Sequence, residues 1–404
     1  MDIGGKNVMR AVADDARMVS GGGGNRRNRR RVVTEAEDEA RARGEQEYKR
    51  SADDEPGDGR ICAHGSEVAV GSPFFGAGKR GNRVGRAVSR FIANGSRSVR
   101  SGVDWCCVGE AVIRYVGLLV KIVRTTASAA KLRDAARRGS LALVPTMGAL
   151  HAGHLSLIRR ARKLAGDDGM VVVSIFVNPA QFWPNEDFAS YPRTFAEDCR
   201  MCRQAGVDAV FAPSAQTIYP EGFSTYVNEE RVSLGLCGGS RPGHFRGVCT
   251  VVLKLFNLLG PDVAVFGEKD YQQGAVIRRM VRDLNVPVRI VMSPTVREAD
   301  GLALSSRNRR LTPAERIEAP LIRRALLLAR DAKIGKPAEL VKLARRELAK
   351  ARLGKIDYVE ALDAETLEAP RKGARELVVA CAVFFGKTRL IDNVRRKADA
   401  SGTR

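Results

Sequence analysis

The hydrophobic pattern divides the chain near residue 119. Before that point apolar residues follow neither a two-residue nor a 3.6-residue period. Beyond it short apolar runs alternate with helical periodicities. Leu141 to Val144, Val171 to Val177, Asp208 to Pro213, Val263 to Phe266 and Val288 to Val291 read as strands. The unbroken β-branched run at Val171 to Val177 predicts a central parallel strand buried on both faces. Between the runs, Lys131 to Arg138 predicts a short basic helix, Leu155, Leu157 and Ile158 recur at helical spacing, Tyr191 to Asp198 leads into a helix, and Val248 to Leu259 is helical again. This alternation predicts an α/β fold with a Rossmann-like parallel sheet over 120–295. In the remainder, 296–404, Thr312-Pro313-Ala314-Glu315 is a capping box with proline at the first helical position, and its helix should kink at Pro320. A second amphipathic helix spans about Pro337 to Ala351. Strand-like runs at Ile356 to Ala361, Leu377 to Phe385 and Thr388 to Ile391 have no helices between them and predict an antiparallel sheet, giving a smaller α+β C-terminal lid domain.

Composition sharpens the division. Residues 1–119 carry Gly21 to Gly24, the basic run Arg26 to Arg31 and the acidic groups Glu35 to Glu39 and Asp53 to Glu55, a mixture that buries too little surface to offset ordering entropy. A disordered N-terminal extension is expected. It holds 21 basic and 16 acidic residues, a net of +5, so +17 of the chain's +22 lies in 120–404. A basic surface there favours polyanionic substrates, and it also promotes non-specific adhesion to nucleic acid. Gly76 to Gly81 imitates a P-loop, but it lacks the leading glycine and has Arg80 where Ser or Thr should meet magnesium. Ala111 to Val123 is apolar yet interrupted by Arg114 and Lys121 and shorter than the ~20 residues of a membrane span; it should contain the first strand-like turn of the core. Eight cysteines without a secretory leader predict reduced thiols and a cytoplasmic protein. Cys199 and Cys202 have CxxC spacing but no second pair, and read as helix side chains.

The candidate chemistry centres on Val144-Pro145-Thr146-Met147-Gly148-Ala149-Leu150-His151-Ala152-Gly153-His154, a strand, a tight turn and a helix start. A helix N-terminus offers unpaired amides and the positive end of its dipole, and small residues let a bulky anion approach the backbone. His151 and His154 lie three apart on one face of the first turn, and both could donate to the same phosphate oxygens.

His151-Ala152-Gly153-His154 resembles the HxGH signature of the nucleotidylyltransferase superfamily, and with Pro145-Thr146-Met147-Gly148 the chain resembles the pantoate–β-alanine ligases from about Val120 to Asn393. Further blocks support the likeness: Asn178-Pro179-Ala180-Gln181-Phe182, Tyr191-Pro192-Arg193-Thr194, Arg241-Pro242-Gly243-His244-Phe245-Arg246-Gly247, Gly267-Glu268-Lys269-Asp270-Tyr271-Gln272-Gln273, Val296 to Asn308, and Leu390 to Asn393. The resemblance implies ATP-dependent joining of pantoate to β-alanine through pantoyl adenylate, with Mg²⁺ and a homodimer.

It also implies roles. ATP would lie against Met147, Gly148, Ala149, Leu150, His151, Ala152, Gly153 and His154, against Gly267, Glu268, Lys269 and Asp270, and against Val296, Leu304, Ser305, Ser306 and Arg307. Catalysis would fall to His154, His151, Lys269, Ser305, Ser306 and Arg307, with His154 the principal proton or hydrogen-bond donor. Asn178, Gln181, Gln273 and Arg241 would hold pantoate or β-alanine. Asp198 is either a magnesium contact or an ordinary first-turn carboxylate, and His244 either catalytic or structural. Trp183 and Gly274 depart from the usual family residues and should alter the pocket wall and the packing behind Gln273. Two rivals remain: another HxGH nucleotidyl transferase, and an RNA-binding protein. Against the latter, no basic strand is interleaved with aromatics.

Overall fold

The unbroken apolar runs Leu141 to Val144, Val171 to Val173 and Val263 to Phe266 are buried on both faces. In the computed structural model, which describes residues 120–136, 139–183, 186–333 and 336–398, these runs form the centre of a six-stranded parallel sheet. Its strands are β1 (Lys121–Val123), β2 (Leu141–Thr146), β3 (Met170–Ile175), β4 (Ala209–Phe211), β5 (Val263–Gly267) and β6 (Arg289–Ser293), in the order β1-β4-β3-β2-β5-β6. The expectations for residues 1–119 fall outside the described residues, as does most of the Ala111 to Val123 run; its end supplies the edge strand β1.

Helices α1 (Thr126–Ala135), α2 (Ala152–Ala165), α3 (Phe195–Gln204), α4 (Ala215–Ile218), α5 (Leu236–Ser240), α6 (His244–Leu259) and α7 (Tyr271–Asp283) connect the strands. The first begins earlier than its apolar pattern suggests because Thr125 and Ser128 form a capping box. Leu157, Ile158 and Ala161 of α2 pack on Ala142, Val144, Val171, Val173, Val263 and Val265. Each large side chain among them contributes about 1.5–3 kcal/mol on removal from water.

Two features of this sheet position the site. The chain winds from β2 outward through β3 and β4, then crosses back to β5, so strand order reverses between β2 and β5. Strands β2 and β3 pair along Leu141 to Thr146, whereas β2 and β5 pair only at Ala142 and Leu143. Pro145, which has no N–H to give, lies past the last β2–β5 pair, and the two strands part at their carboxyl ends. Open α/β sheets bind ligands in such a crevice.

Gly274, at a position where a larger residue is expected, faces Met292: a Cβ there would lie 2.4 Å from its Cε. The long thioether fills the space a larger residue would take.

The chain then passes to α8 (Pro313–Glu318), α9 (Leu321–Asp331), α10 (Pro337–Leu348) and an antiparallel sheet β7-β8-β9 (Gly354–Asp363, Glu376–Phe385, Thr388–Lys397). Pro320 breaks the helix rather than kinking it, standing at the N-cap of α9. Strand β9 continues to Lys397 beyond the expected Ile391, because after Val394 its residues are charged and carry no apolar signal. Leu302, Ile322, Leu326, Leu340, Val379, Cys381 and Phe385 form the core of this part.

Candidate active site

Both loops at the carboxyl ends of β2 and β5 carry the candidate motifs. After β2 the backbone turns sharply, with Gly148 at φ 81° and Ala149 at φ 50°. Asp198 of α3 fixes this turn, its two carboxylate oxygens accepting from Ala149 N (3.0 Å) and Leu150 N (2.8 Å), with the Thr194 hydroxyl 3.2 Å from both. A Cβ on Gly148 would meet Asp198 Oδ2 at 3.0 Å, so glycine suits both the left-handed φ and the close carboxylate. Asp198, expected either as a magnesium contact or as an ordinary first-turn carboxylate, stands in the first turn of α3. Its carboxylate is 1% exposed and accepts from two backbone amides and a hydroxyl, contacts that brace the turn. No group of three or more His, Cys, Asp or Glu among the described residues is placed to hold a metal.

Helix α2 starts with a capping box built from imidazoles. His151 is the N-cap, and its Nδ1 accepts from Gly153 N at 3.1 Å. His154 Nδ1 accepts from His151 N at 3.3 Å. Because both Nδ1 atoms are acceptors, the ring proton of each sits on Nε2. The rings lie 4.1 Å apart between centroids. Burial first, then Lys269 and Arg309, lowers the His151 pKa to about 4; burial and His151 itself lower that of His154 to about 3. At neutral pH both are uncharged N–H donors. Gly153 is required by the same geometry, since a Cβ on it would lie 2.8 Å from His151 Cε1.

After β5, Glu268–Asp270 form a 3₁₀ turn that places Lys269 Nζ 3.6 Å from Asp270 Oδ1. Asn393 of β9 donates to the carbonyls of Glu268 (2.9 Å) and Lys269 (3.0 Å), and its neighbour Asp392 receives Arg297 through both oxygens (2.6 and 3.0 Å). The closing Leu390 to Asn393 block thus ties the loop after β5 and the segment at Arg297 to the C-terminal sheet.

The third loop is a tight hairpin. Leu304 N donates to Val296 O and Glu298 N to Leu302 O, around Gly301 at φ 91°. Its end caps a 3₁₀ turn, Ser306–Arg310, with Ser305 Oγ accepting from Arg307 N. A Cβ on Gly153 would be 3.9 Å from Leu304 Cβ, so this hairpin lies over the first turn of α2.

A cavity of about 640 Å³ opens beside these loops, lined by Lys269, Asp270, Gln273, Ser305 and Arg307 together with Arg241 and His244. His151, His154, Asn178 and Gln181 are not in its wall; the histidines are linked to it electrostatically through Lys269 and Asp270. Gln181 lies behind it: its amide nitrogen is 3.2 Å from Met147 Sδ, its Oε1 accepts from Asn178, and its carbonyl accepts from His244 Nδ1 (2.8 Å) and Arg241 (3.3 Å). Asn178 also donates to Gly247 O and accepts from Tyr219, so its role here is to build the loop. His244 is buried, its pKa lowered to about 4 by desolvation and then by Arg241; its contacts are structural.

Further residues stand around these loops, and of them Glu186 and Asp187, both in the cavity wall, carried no readable signal in the sequence. Glu186 grips Arg241 through both carboxylate oxygens, and Asp187 takes Arg307 (3.0 and 3.2 Å) and Arg310 (2.7 Å). Tyr191, pushed above its ordinary pKa by burial, bonds Ser306. Gln272, next to the candidate Gln273, instead braces Cys237 N, Val232 O and Gly235 O. Trp183 is 44% exposed, donates to Pro242 O and stands outside the cavity wall.

The model of the pantoate-beta-alanine ligase family matches residues 121–395. A pantothenate synthetase from Moorella thermoacetica is 52% identical over 288 residues, 68% of this chain and 98% of that protein. The crystal structure of pantothenate synthetase from Thermus thermophilus superposes with TM-score 0.64 at 46% identity, covering 68% of this chain and 99% of that one. Pantoate-beta-alanine ligase from Francisella tularensis, complexed with beta-gamma ATP and beta-alanine, gives TM-score 0.56 at 34% identity over 68% and 97% of the two chains. With the reversal-point crevice, the paired histidines and the three loops in place, the chain belongs to the pantoate–β-alanine ligase family.

Proposed function

We propose that this chain condenses pantoate with β-alanine to pantothenate at the expense of ATP. A carboxylate oxygen of pantoate attacks the α-phosphorus of ATP, the bond to the β-phosphate bridging oxygen breaks, and pyrophosphate leaves. The amine of β-alanine then attacks the acyl carbon of pantoyl adenylate, loses a proton and displaces AMP. The single observation carrying this reading is the imidazole pair at the α2 N-terminus, both rings fixed as Nε2–H donors at the sheet's reversal point. Charge grows on the phosphate oxygens during adenylation, and preorganised donors in a water-poor site favour that charge over the ground state.

The site roles follow. His151 and His154 donate to the α-phosphate as neutral imidazoles, and the turn from Met147 to Gly153 lies against the nucleotide. Lys269 supplies a point charge to the phosphates and Asp270 accepts from ribose. Ser305, Ser306 and Arg307 follow the departing pyrophosphate. Gln181 and Gln273 orient pantoate, Arg241 faces a substrate carboxylate, and the Val296–Leu304 hairpin covers the adenosine. Mg²⁺ arrives with ATP, held by phosphate oxygens and water, as suits an ion that keeps much of its hydration shell. A homodimer in the cytoplasm is the assembly and place that the family likeness implies.

Pantoate-dependent exchange of labelled pyrophosphate into ATP, with β-alanine omitted, tests the adenylate step. His154→Ala should lower the exchange rate by roughly 10²–10³-fold with the fold intact, the cost of one preorganised donor. Exchange that ignores pantoate, or a near wild-type rate in the variant, would contradict the assignment.

A further inference from the structure

The cavity wall concentrates Arg241, Lys269, Arg307 and Arg310, charges that would repel one another before any polyanion arrives. Two adjacent carboxylates meet them. Glu186 takes Arg241, and Asp187 takes both Arg307 and Arg310; the Arg307 fork is engaged by Nε at 3.2 Å and Nη2 at 3.0 Å. Such a planar, two-toothed pairing is the one a phosphate would make with the same guanidinium. Asp187 and Arg307 are also part-exposed, at 21% and 31%, so the pair is open to solvent-borne anions rather than sealed in a core.

We propose that Asp187 is a positioning residue, a counter-ion that stands in the triphosphate's place on Arg307 and Arg310 and yields it when ATP binds. This rests on the ligase reading above and extends it to a residue that touches Arg307 and not the reacting atoms. The carboxylate keeps the guanidinium planes aligned in the empty cavity, so the orientation is present before substrate arrives. It also competes with the phosphates, and so holds ground-state affinity down and favours pyrophosphate release. Its Asp–Arg contacts span 120 and 123 residues of sequence and bridge the loop after β3 to the Ser306–Arg310 turn. Burial alone would raise the Asp187 pKa, but the two arginines hold it below the ordinary value, so the counter-ion stays charged across the neutral range.

A purely structural Asp187 and a placeholder Asp187 make opposite predictions for binding. Inorganic pyrophosphate is titrated calorimetrically into the full chain, wild type, Asp187→Asn and Asp187→Glu. The placeholder predicts that D187N binds pyrophosphate about three- to fivefold tighter, the scale of one part-exposed ion pair. D187E keeps the charge and stays near wild type. In an Arg307→Gln background the D187N gain should shrink, because the competed-for partner is gone. Unchanged or weaker pyrophosphate binding in D187N overturns the proposal, as does an equal gain without Arg307. Pantoate-dependent AMP formation is measured on the same wild-type preparation. Its absence would remove the ligase reading, whereas the titration alone decides the role of Asp187.

Discussion

At the residue scale, two imidazoles with their protons placed by backbone amides define this site. Their pKa values, lowered to about 4 and about 3 from 6.5, have a direct consequence for acid stability. The folded chain refuses protons that the unfolded chain accepts, so stability is full above pH 6.5 and falls as pH drops from there toward 4. His244, lowered to about 4, acts in the same direction. Histidine NMR should therefore show His151 and His154 as Nε2–H tautomers that do not titrate between about pH 8 and 5. Titration of either near its ordinary value in the folded protein would contradict the neutral-donor role. The HxGH spacing made the pair legible in sequence, and the need for Gly153 follows from its closeness to the His151 ring. What the sequence could not convey was the ionisation of the rings, because burial and Lys269 set it.

At the element scale, the β2–α2 turn owes its shape to α3. Asp198 lies 49 and 48 residues from the amides it receives; its place in the first turn of its own helix was legible, and these long-range partners were not. Asp198→Asn removes one charge-assisted acceptor and leaves an amide unsatisfied. It should lower unfolding free energy by about 1–3 kcal/mol and raise the KM for ATP, read by denaturant melts and initial rates. The magnesium concentration for half-maximal rate should stay as in wild type if the carboxylate only braces the turn, whereas a large rise would assign it a metal contact. The apolar strands β2, β3 and β5 were readable because burial on both faces writes itself as uninterrupted Leu, Val and Ala. The polar end of β9 was not, since Arg395 and Lys397 point to solvent.

At the scale of the whole molecule, the two sheets meet through a few polar contacts. Asn393 supports the Glu268–Asp270 turn from the C-terminal sheet, and Asp392 anchors the hairpin through Arg297. Sequence offered the Leu390 to Asn393 block only as a family likeness; its partners lie 95 to 125 residues away, beyond any local pattern. Asn393→Ala removes both donor contacts to the turn that carries Lys269. A displacement of the order of 1 Å at such a turn costs up to ~10²-fold in rate, so kcat/KM for ATP should fall by about tenfold or more with the melting temperature reduced. An unchanged kcat/KM would mean that the turn holds its shape without the second sheet.

The central claim is that one cavity first adenylates pantoate and then passes the acyl group to β-alanine. AMP and pyrophosphate release from the full chain with ATP and Mg²⁺, omitting pantoate and β-alanine in turn, tests it most directly. Sustained AMP release is expected only with both present, and enzyme-bound adenylate with pantoate alone. AMP release that is indifferent to β-alanine, or a product retaining AMP, would contradict it.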